Sequence, residues 1–149
     1  MNLFNEKNIQ LNVTLKTKHE LFEFLAETLQ NDMRITSKEQ FLEGLWAREN
    51  EISTGIGDGL AIPHAKDASV IFPTLLFIRL NQPIEYHALD SKPIDIVFLI
   101  AMPSSYHKEH LELLSKLATF LLKDDNQSKI RSCENEASIH QLISENIKP

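Results

Sequence analysis

One cysteine, Cys133, stands in 149 residues, so neither an internal disulfide nor a cysteine-cluster metal site can form. No run of lysines and arginines occurs, and the formal net charge is −6. The chain therefore lacks the electrostatic footprint of a protein that binds nucleic acid or an anionic membrane. The longest apolar run, Ile96 to Met102, is far short of the ~20 residues of a membrane helix. The opening MNLFNEKNIQLNV has no cationic start followed by an apolar stretch, so no signal peptide is expected. No repeat, low-complexity tract or linker interrupts the chain. These lacks point to a cytoplasmic, single-domain protein spanning 1–149. At that length a chain buries roughly 70% of its unfolded surface, enough for a core without staples.

Glycine is scarce as well. There are four, and three of them, Gly55, Gly57 and Gly59, fall in the stretch GIGDGLAIPHAKD. Glycine serves where φ must be positive or where something approaches the backbone closely. Here it precedes a Pro63-His64 pair, and Pro63 stiffens the local chain. The glycines leave backbone N–H groups free for an anion, as in a phosphate nest. The Gly-Lys-Ser/Thr ending of a Walker loop is missing, and the spacing is not that of a dinucleotide fingerprint. On the residues alone, a tight turn with an incidental histidine stays open beside a phosphate site.

Around this stretch the periodicity is plain. TKHELFEFLAETLQND reads as a helix, with Thr17 and Glu20 as a capping box and Leu21, Leu25 and Leu29 at helical spacing. A second helix starts at Ser37 with Gln40, carries Phe41, Leu42, Leu45 and Trp46 inward, and ends near Arg48-Glu49. TLLFIRL (74–80) is a strand, and NQPIEYHALDSKP a polar loop or edge hairpin. IDIVFLIAM (94–102) is β-branched and almost wholly apolar, the pattern of a strand covered on both faces. Ser104 or Ser105 would cap a third helix, with Leu111, Leu114, Leu117 or Ala118, and Leu121 inward. A last helix runs over about 136–147, with Ile139, Leu142 and Ile143 inward. Such alternation implies an α/β domain, a mixed sheet sandwiched between helices.

Six histidines are the remaining chemistry. His19 and His140 read as surface residues, and His87 lies in a polar loop. His110 falls in the first turn of the third helix, where unpaired N–H groups and the positive dipole end favour an anion by roughly 0.3–1 kcal/mol. That is too little to bind phosphate alone. His107 and His110, one turn apart, could hold a metal, but no HExxH pattern or cysteine ligand accompanies them. A serine hydrolase is excluded by the absence of G-x-S-x-G.

RENEISTGIGDGLAIPHAKD, then LDSKPIDIVFLIAMP, then HLELLSKLATFL together resemble the enzyme IIA domain of the fructose–mannitol type. Such domains are phosphocarriers of the bacterial phosphoenolpyruvate-dependent sugar phosphotransferase system. The likeness covers essentially the whole chain; Leu60 and Ser91 replace a commoner Ile and Gly. It implies that His64 accepts the phosphoryl group on Nε2, that His110 supports that group, and that Arg48 lies at the site. Thr54 corresponds to the hydroxyl residue before the loop, and Gly55, Gly57 and Gly59 to the loop itself. It further implies the carrier HPr as donor, the cysteine of a separate enzyme IIB with its membrane enzyme IIC as acceptor, and no metal or organic cofactor. A regulatory, nitrogen-type IIA would use the same His64. From another class, a metal- or ligand-binding module would use His64, His107 and His110.

Overall fold

A computed structural model describes residues 2–148. A short 3₁₀ turn, Glu6–Asn8, leads into β1 (Ile9–Val13), followed by α1 (Lys18–Asn31) and α2 (Lys38–Glu51). Three short strands come next, β2 (Gly55–Gly57), β3 (Leu60–Ala61) and β4 (His64–Asp67). Two long ones follow, β5 (Thr74–Ile84) and β6 (Ile94–Pro103). The chain closes with α3 (His107–Leu121), α4 (Asp124–Ser132) and α5 (Glu136–Ile147). The sheet order is β1-β5-β6-β3-β2, with β4 also paired to β6. β5 and β6 are antiparallel, whereas β1 with β5, and both β3 and β4 with β6, are parallel. The sheet is therefore mixed, as the sequence implies.

Side chains alternate across the two central strands, as a pleated sheet requires. Val97, Leu99 and Ala101 of β6 join Leu76 and Ile78 of β5 beneath α1 and α2, against Leu21, Phe22, Leu25, Phe41 and Leu45. Ile96, Phe98, Ile100 and Met102 join Leu75 and Phe77 on the other face, against Leu113, Leu117, Ile130, Ile139 and Ile143. Both faces are sealed, which is why β6 reads as one apolar run. Thr17 caps α1 by accepting from the Glu20 amide at 3.0 Å, and Ser37 caps α2 by accepting from the Gln40 amide at 3.2 Å.

Several expectations need correction. Neither Ser104 nor Ser105 caps α3; Tyr106 occupies that position and makes no side-chain cap bond. The buried stripe of α3 is His110, Leu113, Leu117, Phe120 and Leu121. Leu111 is 68% exposed, because the pattern of leucines alone permits a stripe rotated around the helix. The loop after residue 80 is partly strand: β5 runs on through Pro83 to Ile84, with a register shift between Arg79 and Ile84 that accommodates the proline. His140 is half-buried, its Nε2 3.0 Å from the Phe4 carbonyl and its ring stacked on Phe4. His19 is exposed and stacks on Trp46.

One irregularity positions the site. β3 and β4 lie end to end along the same edge of β6, with Leu60 and Ala61 beside Ile96 and Val97, and His64 and Ala65 beside Ile100 and Ala101. Ile62 and Pro63 separate them. The Ile62 amide bonds back to the Thr54 carbonyl at 3.0 Å, and the Pro63 carbonyl accepts from the Ile100 amide at 3.1 Å. Proline has no N–H to give the ladder, so the strand breaks there and resumes at His64.

Candidate active site

His64 opens β4 at the edge of the sheet, and α2 and the first turn of α3 bring side chains up to it. One cleft is lined by Gly44, Arg48 and Glu51 of α2, by His64 and Lys66 of β4, and by His110 of α3. The sequence thus places Arg48, His64 and His110 in one cleft although they are far apart along the chain.

The Nδ1 of His64 lies 2.7 Å from the Ile62 carbonyl oxygen. A carbonyl only accepts, so Nδ1 carries the proton and Nε2 holds the lone pair. Burial pushes the His64 pKa down, and the nearby Arg48 charge adds to this; the Ile62 hydrogen bond and the carboxylates of Glu49 and Glu51 work the other way, with the net shift below the ordinary value. The ring is therefore a neutral nucleophile at pH 7. His110 packs edge-on against it, with ring centroids 5.1 Å apart and an interplanar angle of 82°. Burial, then the charges of His64, Lys66 and Arg48, hold His110 down at about 4. It stays neutral at pH 7, and its buried Nε2 has no hydrogen-bond partner in the protein. Leaving such an atom unpaired costs about 1–3 kcal/mol, a penalty that a hydrogen-bonding group entering the cleft would relieve.

Arg48, in the last turn of α2, donates from Nη1 to the Ile52 carbonyl at 2.8 Å, and its Nε lies 4.0 Å from Glu51 Oε2. These contacts hold the guanidinium at the cleft while leaving donors of its fork free.

Thr54, Gly55, Gly57 and Gly59 do not line this cleft. The buried Thr54 hydroxyl donates to Glu49 Oε1 at 2.5 Å and lies 2.7 Å from the Tyr86 hydroxyl, while its amide donates to Glu49 Oε2 at 2.9 Å. Lys18 completes the cluster with an ion pair to Glu49 at 2.9 Å and a bond to the Tyr86 carbonyl at 2.9 Å. Burial alone would raise the Glu49 pKa, but the bonds from Thr54 and Lys18 outweigh it and bring the carboxyl below its ordinary value. Glu49 is a residue that the sequence pattern did not single out. Its signal was its place: a carboxylate next to Arg48 at a helix end, with a hydroxyl five residues on.

Close packing accounts for two of the loop glycines. A Cβ on Gly55 would lie 2.5 Å from the Ala88 Cβ. Gly59 has φ of +80°, and a Cβ there would meet Arg131 and Asp95 at 2.8 Å. Some of the loop's polar groups are paired within the protein: the Gly55 amide bonds Ser53, the Asp58 amide bonds Asp90, and the Gly59 carbonyl accepts from the Asp95 and Ile96 amides.

His107 also differs from the metal-ligand reading. Its Nδ1 is hydrogen-bonded by the Lys66 ammonium, which donates only. A cation on the ring nitrogen repels a metal ion. Among the described residues no group of three His, Cys, Asp or Glu is placed to hold one.

Comparison with known proteins identifies the family of the chain. The family model described as "Phosphoenolpyruvate-dependent sugar phosphotransferase system, EIIA 2" matches residues 2–146. The fructose-specific EIIABC component of Bacillus subtilis is 34% identical over 146 residues; the match takes in 98% of this chain but 23% of that much longer protein. The fructose-specific EIIA component of Haloferax volcanii is 33% identical, with 87% of this chain and 84% of its own length aligned. The solved structure of the nitrogen regulatory protein IIA-Ntr from Neisseria meningitidis superposes with a TM-score of 0.89 at 31% identity, over 95% of this chain and 96% of that one.

Proposed function

We propose that this chain, which belongs to the EIIA type-2 family of the phosphoenolpyruvate-dependent sugar phosphotransferase system, carries its phosphoryl group on Nε2 of His64. Domains of this family are phosphotransferase components that carry phosphohistidine, and this chain is one of them. The observation that supports His64 best is its bond to the Ile62 carbonyl. That bond takes up Nδ1 and fixes Nε2 as the nucleophilic atom, in a cleft shared with Arg48 and His110.

In the forward step the Nε2 lone pair forms a bond to phosphorus. The bond from phosphorus to the ring nitrogen of phospho-HPr breaks, and that nitrogen keeps the electron pair. The His64 ring becomes an imidazolium whose Nδ1–H remains on Ile62. The charge makes it a good leaving group when the thiolate of an enzyme IIB cysteine attacks phosphorus in turn. The transition state is loose and in line, so the protein's contribution is positioning and charge. Arg48 offers a planar fork to the equatorial oxygens, and neutral His110 donates a hydrogen bond. No helix among the described residues is long and apolar enough to cross a membrane. We place the protein in the cytoplasm, serving a separate IIB and a membrane IIC.

The fructose-specific relatives favour sugar uptake as the destination. The likeness to IIA-Ntr favours a second reading, in which the same phosphohistidine signals to other proteins. Incubation with phosphoenolpyruvate, enzyme I and HPr tests the shared step. It is expected to add one acid-labile, alkali-stable phosphate to the wild type and none to His64→Ala. Equal labelling of His64→Ala contradicts the assignment. Passage of the label to a fructose-type IIB supports uptake; retention of the label in its presence supports regulation.

A further inference from the structure

The cleft holds a second cation that its counting of charge requires. Arg48 is 4.0 Å from Glu51 Oε2, and both residues line the cleft. Glu51 offsets part of the Arg48 charge. A phosphoryl group brings about −1.5 to −2 at neutral pH, by analogy with phosphorylated side chains. With Arg48 alone, the phosphorylated site would keep much of that charge uncompensated, above two neutral histidines.

Lys66 is placed to answer it. Residues two apart on a strand share a face, so Lys66 lies on the same side of β4 as His64. Residues three apart on a helix are neighbours, so His107 and His110 lie side by side on the first turn of α3. The structure joins them rung to rung: His64 against His110, and Lys66 against His107. Lys66 makes no ion pair with a carboxylate among the described residues; its one polar contact is the ring nitrogen of His107. The Lys66 charge also contributes to the lowering of the His110 pKa, beside His64.

We propose that Lys66 is a second cationic ligand of the phosphoryl group on His64, and that His107 is the positioning residue that holds its ammonium at the cleft. The proposal rests on the reading of His64 above. In the unphosphorylated protein, His107 restricts a flexible side chain through an acceptor that carries no charge of its own. When the phosphoryl group forms, Lys66 and Arg48 together match its charge. Lysine suits this place as a compact point charge with three rotatable donors, beside the fixed fork of Arg48.

The test is a phosphorus-31 NMR titration of the phosphorylated protein, with single-turnover transfer from phospho-HPr, on wild type, Lys66→Met, Lys66→Arg and His107→Ala. Lys66 is exposed, so these variants are expected to fold. A cation beside the phosphoryl group favours its dianion. Its loss in Lys66→Met is expected to raise the titration midpoint by about half a unit or more and to slow transfer about tenfold, less than the loss of a buried transition-state donor. Lys66→Arg should restore both, and His107→Ala should move both in the same direction by less. Unchanged rate and midpoint in Lys66→Met overturn the proposal. Slow transfer with an unmoved midpoint overturns it too, since Lys66 would then act on the structure and not on the phosphate. Phosphate found on a residue other than His64 in the wild type contradicts the parent reading instead, a result that no Lys66 variant produces.

Discussion

At the residue scale, the site is a set of neutral rings edged by cations. His64 and His110 are both held below the ordinary histidine value, burial being the largest cause for each. On the proposed reading each ring supplies a nitrogen to the phosphoryl group and Arg48 supplies charge, whose effect substitution can separate from the geometry of its fork. Lysine keeps the cation and loses the bidentate fork. In single-turnover transfer from phospho-HPr, Arg48→Ala is expected to lose about 10²-fold or more, the scale of a transition-state electrostatic donor. Arg48→Lys is expected to retain part of the rate. Far-ultraviolet circular dichroism should be unchanged in both, because Arg48 ends a helix and is not a core residue. A folded Arg48→Ala with wild-type rates would remove it from the site.

At the element scale, the end of α2 is locked to the loop that leads to β4, and Glu49 is the lock. It takes both the amide and the hydroxyl of Thr54, and pairs with Lys18 of α1. Removing one partner of a buried pair strands the other charge and costs roughly 3–5 kcal/mol. Lys18 is only 15% exposed in its side chain. Glu49→Gln is therefore expected to lose about 3 kcal/mol in urea unfolding at pH 7. The folded-state pKa of Glu49 lies below its ordinary value, so its contribution is present above the ordinary carboxylate range and fades as pH falls through the folded value. The gap between wild type and Glu49→Gln should narrow on acidification. A gap that is absent at pH 7, or that widens in acid, contradicts this account of the lock.

The same scale shows what could be read from the chain. Thr17 and Ser37 announced two helices because their caps are local. The apolar run 94–102 announced a strand sealed on both faces, since nothing but burial explains it. The stripe of α3 was misread through Leu111 because leucine spacing fits two faces, and the buried polar His110 marks the correct one. β1 was missed: Ile9, Leu11 and Val13 alternate for only five residues. α4 was missed because Ile130 is its one buried residue, and Arg79 reaching the carbonyls of Ile130, Arg131 and Cys133 is a long-range tie. Motif resemblance, not local periodicity, singles out His64, His110 and Arg48, and the fold brings the three to one cleft. Glu49, Lys66 and the role of His107 depend on contacts between distant segments, which no local pattern records. Close packing and anion binding leave the same mark of glycine in a sequence; the structure shows the packing at Gly55 and Gly59.

At the scale of the whole molecule, one mixed sheet closes two apolar layers, α1 and α2 on one face and α3 to α5 on the other. The site sits where a strand edge meets the ends of one helix from each layer. A carrier that must be reached in turn by a donor protein and an acceptor protein needs its nucleophile at such a seam, with both layers rigid behind it. The central claim is that this seam presents Nε2 of His64 because Nδ1 is committed to Ile62. The direct measurement is the phosphorus–nitrogen coupling in protein carrying nitrogen-15 histidine, phosphorylated through HPr and assigned to residue 64. The account predicts phosphate on Nε2 of His64, with Nδ1 still protonated; phosphate on Nδ1, or no phosphohistidine at residue 64, would contradict it.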